Sequence, residues 1–143
     1  MPNEKYHEAA SRSHKLLGLY LVYAAWTKYL DCVVLERDQL MLFLGLKTMQ
    51  NKRIDWLTSD LKGMFLFSRP IKVAKTGVYS TLYLSREPLR KEPMSGVMSN
   101  TERVKALTNA GIMAAIIQIP KEDEIVRIMA CLTHGVSPFQ SDS

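Results

Sequence analysis

Little in this 143-residue chain is of the kind that performs chemistry. It has two cysteines, Cys32 and Cys131, far apart and in apolar surroundings, so no C-x-x-C pair and no Cys/His metal spacing exists. Both are expected to be packed, reduced thiols. Three histidines, His7, His14 and His134, are scattered and form no H-x-x-x-H or H-E-x-x-H pattern. No phosphate-binding glycine loop, dinucleotide fingerprint or G-x-S-x-G elbow occurs. Enzymatic activity, a metal and a cofactor are therefore not expected. The longest apolar run, Leu16 to Trp26, is about half of the roughly 20 residues that span a bilayer. No basic-then-apolar leader opens the chain. The expectation is a cytoplasmic protein without membrane contact. Repeats and low-complexity tracts are also lacking.

Composition allows one domain with a real core. Hydrophobic residues make up 47% of the chain and charged residues 23%, with a net charge of +5. That charge is unevenly placed. From Lys47 to Lys91 ten basic residues face three acidic ones, a net of +7, so the remainder sums to −2. A basic segment of this kind suits a polyanionic partner. Composition alone also allows a solvated basic face with no partner.

The pattern inside that segment decides between them. Ser13 is a candidate N-cap for a helix from His14 to Leu30 that is apolar nearly all round, and so should be the buried central post. Gly18 within it permits a close helix crossing. Residues 31–35 are short and β-branched, and read as a strand able to pair with a hairpin. Glu36–Leu44 reads as a helix and Gly45-Leu46 as a tight turn. A second helix, opened by Lys47-Thr48, runs from Met49 to Leu61, with Ile54, Leu57 and Leu61 on one face. A basic hairpin follows, with strands Ser68–Val73 and Val78–Leu84 joined by Ala74–Gly77. Helix, turn, helix and hairpin in this order predict a winged helix-turn-helix, whose second helix seats in the major groove of double-stranded DNA.

Candidate DNA contacts are Lys47, Thr48, Asn51, Lys52 and Arg53 on the second helix, and Arg69, Lys72, Lys75 and Thr76 on the hairpin. Asn51 is either an adenine reader or a surface residue. Asp55 is awkward against DNA, and either accepts from cytosine or pairs with Lys52 or Arg53. Trp56 reads as a packing residue. Tyr79 and Tyr83 read as half-buried sheet residues. The hairpin lysines have a second reading, as charges guarding an edge strand.

The linker Glu87–Gly96, with two prolines and a glycine, ends the compact domain. The expected fold class is mainly α with a small β-hairpin: a winged helix over 14–92 behind an arm at 1–13, then a helical extension at 93–135 and a tail at 136–143. In the extension one helix runs from Glu102 to about Gln118, although Ile112–Ile119 also reads as a strand. A last helix starts near Pro120, with Glu122, Asp123 and Glu124 in its first turn and Gly135 as its stop. Val104, Leu107, Gly111 and Ala114 form one apolar stripe; Ile125, Ile128, Met129 and Leu132 form another. The expectation is a homodimer held there, so that truncation after Glu92 leaves a folded monomer. The competing reading folds both helices back on the core.

Leu19-Tyr20, five residues and then Trp26, followed by Val33-Val34-Leu35, Arg37, and Leu40 with Leu44-Gly45-Leu46, resembles the CaiF/GrlA type of enterobacterial transcriptional regulator. The resemblance implies a winged-helix regulator of transcription. Paired arginines associated with that family's second helix are replaced here by Gln50, Asn51, Lys52 and Arg53. This departure supports an alternative: a winged-helix adaptor or anti-activator that binds a protein partner and does not read DNA.

Overall fold

A computed structural model of the chain describes residues 2–65, 67–89 and 95–135. Its elements in order are α1 (Pro2–Thr27), β1 (Cys32–Glu36), α2 (Arg37–Leu44), α3 (Asn51–Leu61), β2 (Phe67–Lys72), β3 (Tyr79–Ser85), α4 (Asn100–Asn109), β4 (Ala114–Ile116) and α5 (Glu122–Thr133). Among the described residues, five helices and a four-stranded sheet make a mixed α/β fold, so the expected mainly-α class is corrected. The expected arm is the start of α1. The middle of the expected linker, 90–94, and the tail, 136–143, lie outside the described residues.

The sheet order is β2-β3-β1-β4. β1 and β3 are antiparallel, with Val33 opposite Leu84 and Leu35 opposite Leu82. β2 and β3 form the hairpin. β4 pairs parallel to the other edge of β1, with Cys32 opposite Ala114 and Val34 opposite Ile116. Cys32, Val33, Val34 and Leu35 are all buried. A strand covered on both faces reads as such an unbroken apolar run. On one face Val33, Leu35, Leu82 and Leu84 pack with Leu17 and Leu21 of α1, Ile54, Leu57 and Leu61 of α3, and Ile125 of α5. On the other, Cys32, Val34, Ile71 and Tyr83 pack with Leu107 of α4.

Local chemistry explains the joints. Gly45 takes φ +68°, which costs a glycine little. Its N–H donates to Leu42 O, and that of Leu46 donates to Met41 O, closing α2 with paired C-terminal bonds. Gly18 meets the end of α3: a Cβ there would lie 2.6 Å from Leu61 Cδ2 and would also strike Met64 Sδ. α3 starts at Asn51, not at Met49 as expected from sequence. Met49 is instead a buried plug, its carbonyl accepting from the Arg37 guanidinium.

The C-terminal third departs most from expectation. The long helix to Gln118 is replaced by α4, a turn at Gly111 with φ +84°, and β4. Without β4 one edge of β1 would be unpaired, and unmade backbone bonds in a buried strand are costly. Ile117 N donates to Val34 O, and Met113 O accepts from the amides of Asp31 and Cys32. α5 begins two residues after Pro120. Leu107, Ile117, Ile125 and Ile128 are buried within the chain itself, and Ile119 N donates to Gln39 Oε1 of α2. Leu107, Ile125 and Ile128 are therefore core residues, unable to offer their side chains to a second copy. Of the other residues on the expected seam, Val104 and Ala114 are half-buried, while Gly111 and Leu132 are exposed.

Candidate nucleic-acid interface

The start of α3 and the tip of the β2–β3 hairpin are joined by one side chain. Asn51 donates from Nδ2 to Gly77 O at 2.9 Å and accepts at Oδ1 from Tyr79 N at 2.9 Å. Both ends of the amide are used, so Asn51 is a clamp between helix and hairpin rather than a free reader of bases. The tip is closed by Val73 N on Val78 O and Gly77 N on Val73 O, each 2.8 Å, with Gly77 at φ +69°. Thr76 Oγ1 accepts from Val78 N. Arg37 adds a further tie, donating from Nη1 to Tyr79 O at 3.3 Å.

Around this clamp the structure places Lys47, Thr48, Lys52, Lys72, Lys75 and Thr76 at the surface. Lys52 Nζ lies 5.3 Å from the centre of the Trp56 ring, and Lys72 Nζ lies 5.6 Å from that of Tyr79. Each aromatic ring supports a cation without neutralising it. Asp55, the awkward acid, is accounted for: it lies beside the Tyr79 hydroxyl. That hydroxyl is held above its usual value of 10.0 by desolvation first, then by the neighbouring Asp55 carboxylate as acceptor and as charge.

Two of the expected contacts are placed elsewhere. Arg69 pairs across from Tyr83, on the sheet face that α4 covers, away from α3. Arg53 turns inward and donates from Nε to His14 Nε2 at 3.3 Å. His14 is fully buried, and its Nδ1 lies 2.6 Å from Asp60 Oδ2. A guanidinium only donates, so Nε2 accepts and the imidazole proton sits on Nδ1, pointing at Asp60. Ser11 Oγ donates to the same carboxylate oxygen at 3.2 Å. This knot fastens α3 to α1 from behind. Sequence reading missed it because Ser11, His14, Arg53 and Asp60 share no motif. The i, i+3 spacing of Ser11 and His14 was the one available signal that both point the same way.

Among the described residues no helix is long and apolar enough to cross a membrane, and no cluster of three or more His, Cys, Asp or Glu is placed to hold a metal. Burial pushes the Cys32 thiol up to about 12, with Asp31 adding to the shift, so it is an unreactive core group. No family model, no curated protein and no solved structure matches the chain.

Proposed function

We propose that the chain is a sequence-selective DNA-binding regulator of transcription. In this reading α1 to β3 form a winged helix, α3 lies in the major groove and the hairpin lies on the backbone. The observation that carries the reading is the Asn51 clamp. It ties the basic start of α3 to the basic hairpin tip, so that Lys52 and Lys72 move as one charged unit. Lys47, Lys52, Lys72 and Lys75 are the phosphate contacts; Thr48 and, on α3, Ser59 are exposed polar groups left to meet bases. Fluorescence anisotropy of promoter duplexes over a salt series tests this. Binding should fall steeply with salt. Lys52→Ala and Lys75→Ala should each lower the salt slope by roughly one, because each removes a single charge that neutralises phosphate. Absence of duplex binding at low salt and micromolar protein overturns it.

A specific observation also favours the second reading, a protein-binding adaptor. Asn51 and Arg53 are committed inside the chain, which leaves few side chains to read sequence. Under that reading, regulation of the target genes survives both lysine changes.

A single winged helix buries little DNA surface, so such a regulator works as a homodimer. The seam we assign is the outer face of α1. Leu19, Val22 and Trp26 stand at i, i+3 and i+7, and are 51%, 39% and 71% exposed. A two-fold axis would bring this stripe against its own copy. Sedimentation should show a dimer that Trp26→Glu dissociates; a wild-type monomer at high micromolar concentration removes the assembly.

A further inference from the structure

On the far side of the hairpin from the His14 knot lies a second buried polar cluster, and it is incomplete. Arg103 of α4 is only 2% exposed. Its Nη1 donates to Thr81 Oγ1 at 2.9 Å and to Asn100 Oδ1 at 2.7 Å, and its Nη2 donates to Ser95 O at 2.6 Å. Its Nε is buried without any hydrogen-bond partner. Among the described residues no carboxylate pairs with it. Glu36 reaches it only at one remove, Oε2 accepting from Asn100 Nδ2 at 3.1 Å. A guanidinium taken out of water with neutral partners alone is an expensive arrangement.

The cation lines a cleft of about 580 Å³. Its walls come from the start of α2, the start of α4 and the hairpin, including Thr76, Val78 and Ser80. The two helix starts differ. α4 is capped by Ser99, whose Oγ accepts from Glu102 N at 3.2 Å. α2 has no side-chain cap, because Glu36 at the cap position bonds Asn100 instead. The first turn of α2 thus lines the cleft at the positive end of the helix, without a side-chain cap.

We propose that this cleft is a binding site for a small organic anion, its carboxylate or phosphate group set between Arg103 and the first turn of α2. The anion supplies the direct counter-charge that no described residue gives Arg103. The carboxylates of Glu36 and Asp38 also line the walls, so a singly charged headgroup fits better than a polyanion, and a DNA backbone is disfavoured. Thr76 and Val78 belong to the hairpin tip, so an occupied cleft stiffens the element proposed to touch DNA. That last link rests on the DNA-binding reading; the anion site does not.

Inorganic phosphate at constant ionic strength is the probe. In ¹⁵N-labelled full-length protein the Arg103 Nε–H resonance should shift saturably as phosphate is added, and the thermal midpoint should rise with it. Lys52→Ala with Lys75→Ala should leave both effects intact, because the site is not the surface lysines. Met98→Glu, which places a carboxylate on the cleft wall, should weaken phosphate binding at least tenfold. An unmoved Arg103 resonance, loss of the effect in the double lysine variant, or undiminished binding in Met98→Glu each overturns the proposal. Duplex binding measured without phosphate stands or falls separately.

Discussion

Among the described residues two buried polar knots stand out, one on each side of the sheet, and they are built on opposite plans. Between α1 and α3, His14 and Asp60 form a set with Ser11 and Arg53, in which the acid has two donors and each ring nitrogen has a partner. Between the sheet and α4, Arg103 gathers neutral oxygens and leaves one donor unmet. The first contains its own acid, Asp60, and fixes the position of α3. The second is a cation waiting for a charge. A buried charge is thus evidence of stability only when its partners are counted.

The largest expected effect concerns the C-terminal cover, which serves both faces of the sheet. Truncation after Glu92 removes Leu107, Ile117, Ile125 and Ile128, all of them core residues. The remainder should lose cooperative unfolding and its near-ultraviolet circular dichroism. A truncated chain with a sharp thermal transition would mean that the α1–α3 side folds alone, and would make the two sides independent domains.

The two knots themselves should respond in opposite ways. His14→Ala leaves a cavity and strips Asp60 of its shortest contact, and urea unfolding should show a loss of about 3 kcal/mol. Arg103→Met replaces a poorly compensated charge by an apolar chain of similar length. It should fall within about 1 kcal/mol of wild type, on either side. Equal losses in both variants would erase the contrast between the knots.

The smallest effect is silent at neutral pH. Cys32, on the α4 side, ordinarily titrates near 9.0 and is raised to about 12 in the fold. The folded state therefore keeps a proton that the unfolded chain gives up. Stability from this group is fully present below pH 9 and declines as pH rises toward 12. Cys32→Ala should flatten that alkaline decline in a pH series of urea midpoints, and an unchanged slope would assign the decline to other groups.

What the sequence disclosed followed from local rules. Gly45-Leu46 marked the turn, because only a residue at ease with positive φ ends α2 that way. Ala74–Gly77 marked the hairpin, and the β-branched run at 31–35 marked β1. The alternative strand at 112–119 was visible too, but the choice between helix and strand at Ala114 and Ala115 is made by the free edge of β1, far away in sequence. The candidate interface was legible as charge, since lysines declare themselves by composition and stay at the surface. The roles of Asn51, Arg53 and Arg103 were not. Each is set by a partner many positions distant, such as Gly77, His14 or Thr81, and no spacing rule connects them.

The parallel pairing of β1 with β4 also has a consequence in time. Cys32 is paired with Ala114, so on a ribosome moving at roughly 5–20 residues per second the strand waits on the order of ten seconds for that neighbour. Throughout that interval one row of its amides and carbonyls stands open beside four apolar side chains. A nascent chain is then most vulnerable to a second nascent chain of its own kind, whose β1 is equally bare. Slowed translation between β3 and β4 should raise the insoluble fraction, whereas slowed translation after α5 should not.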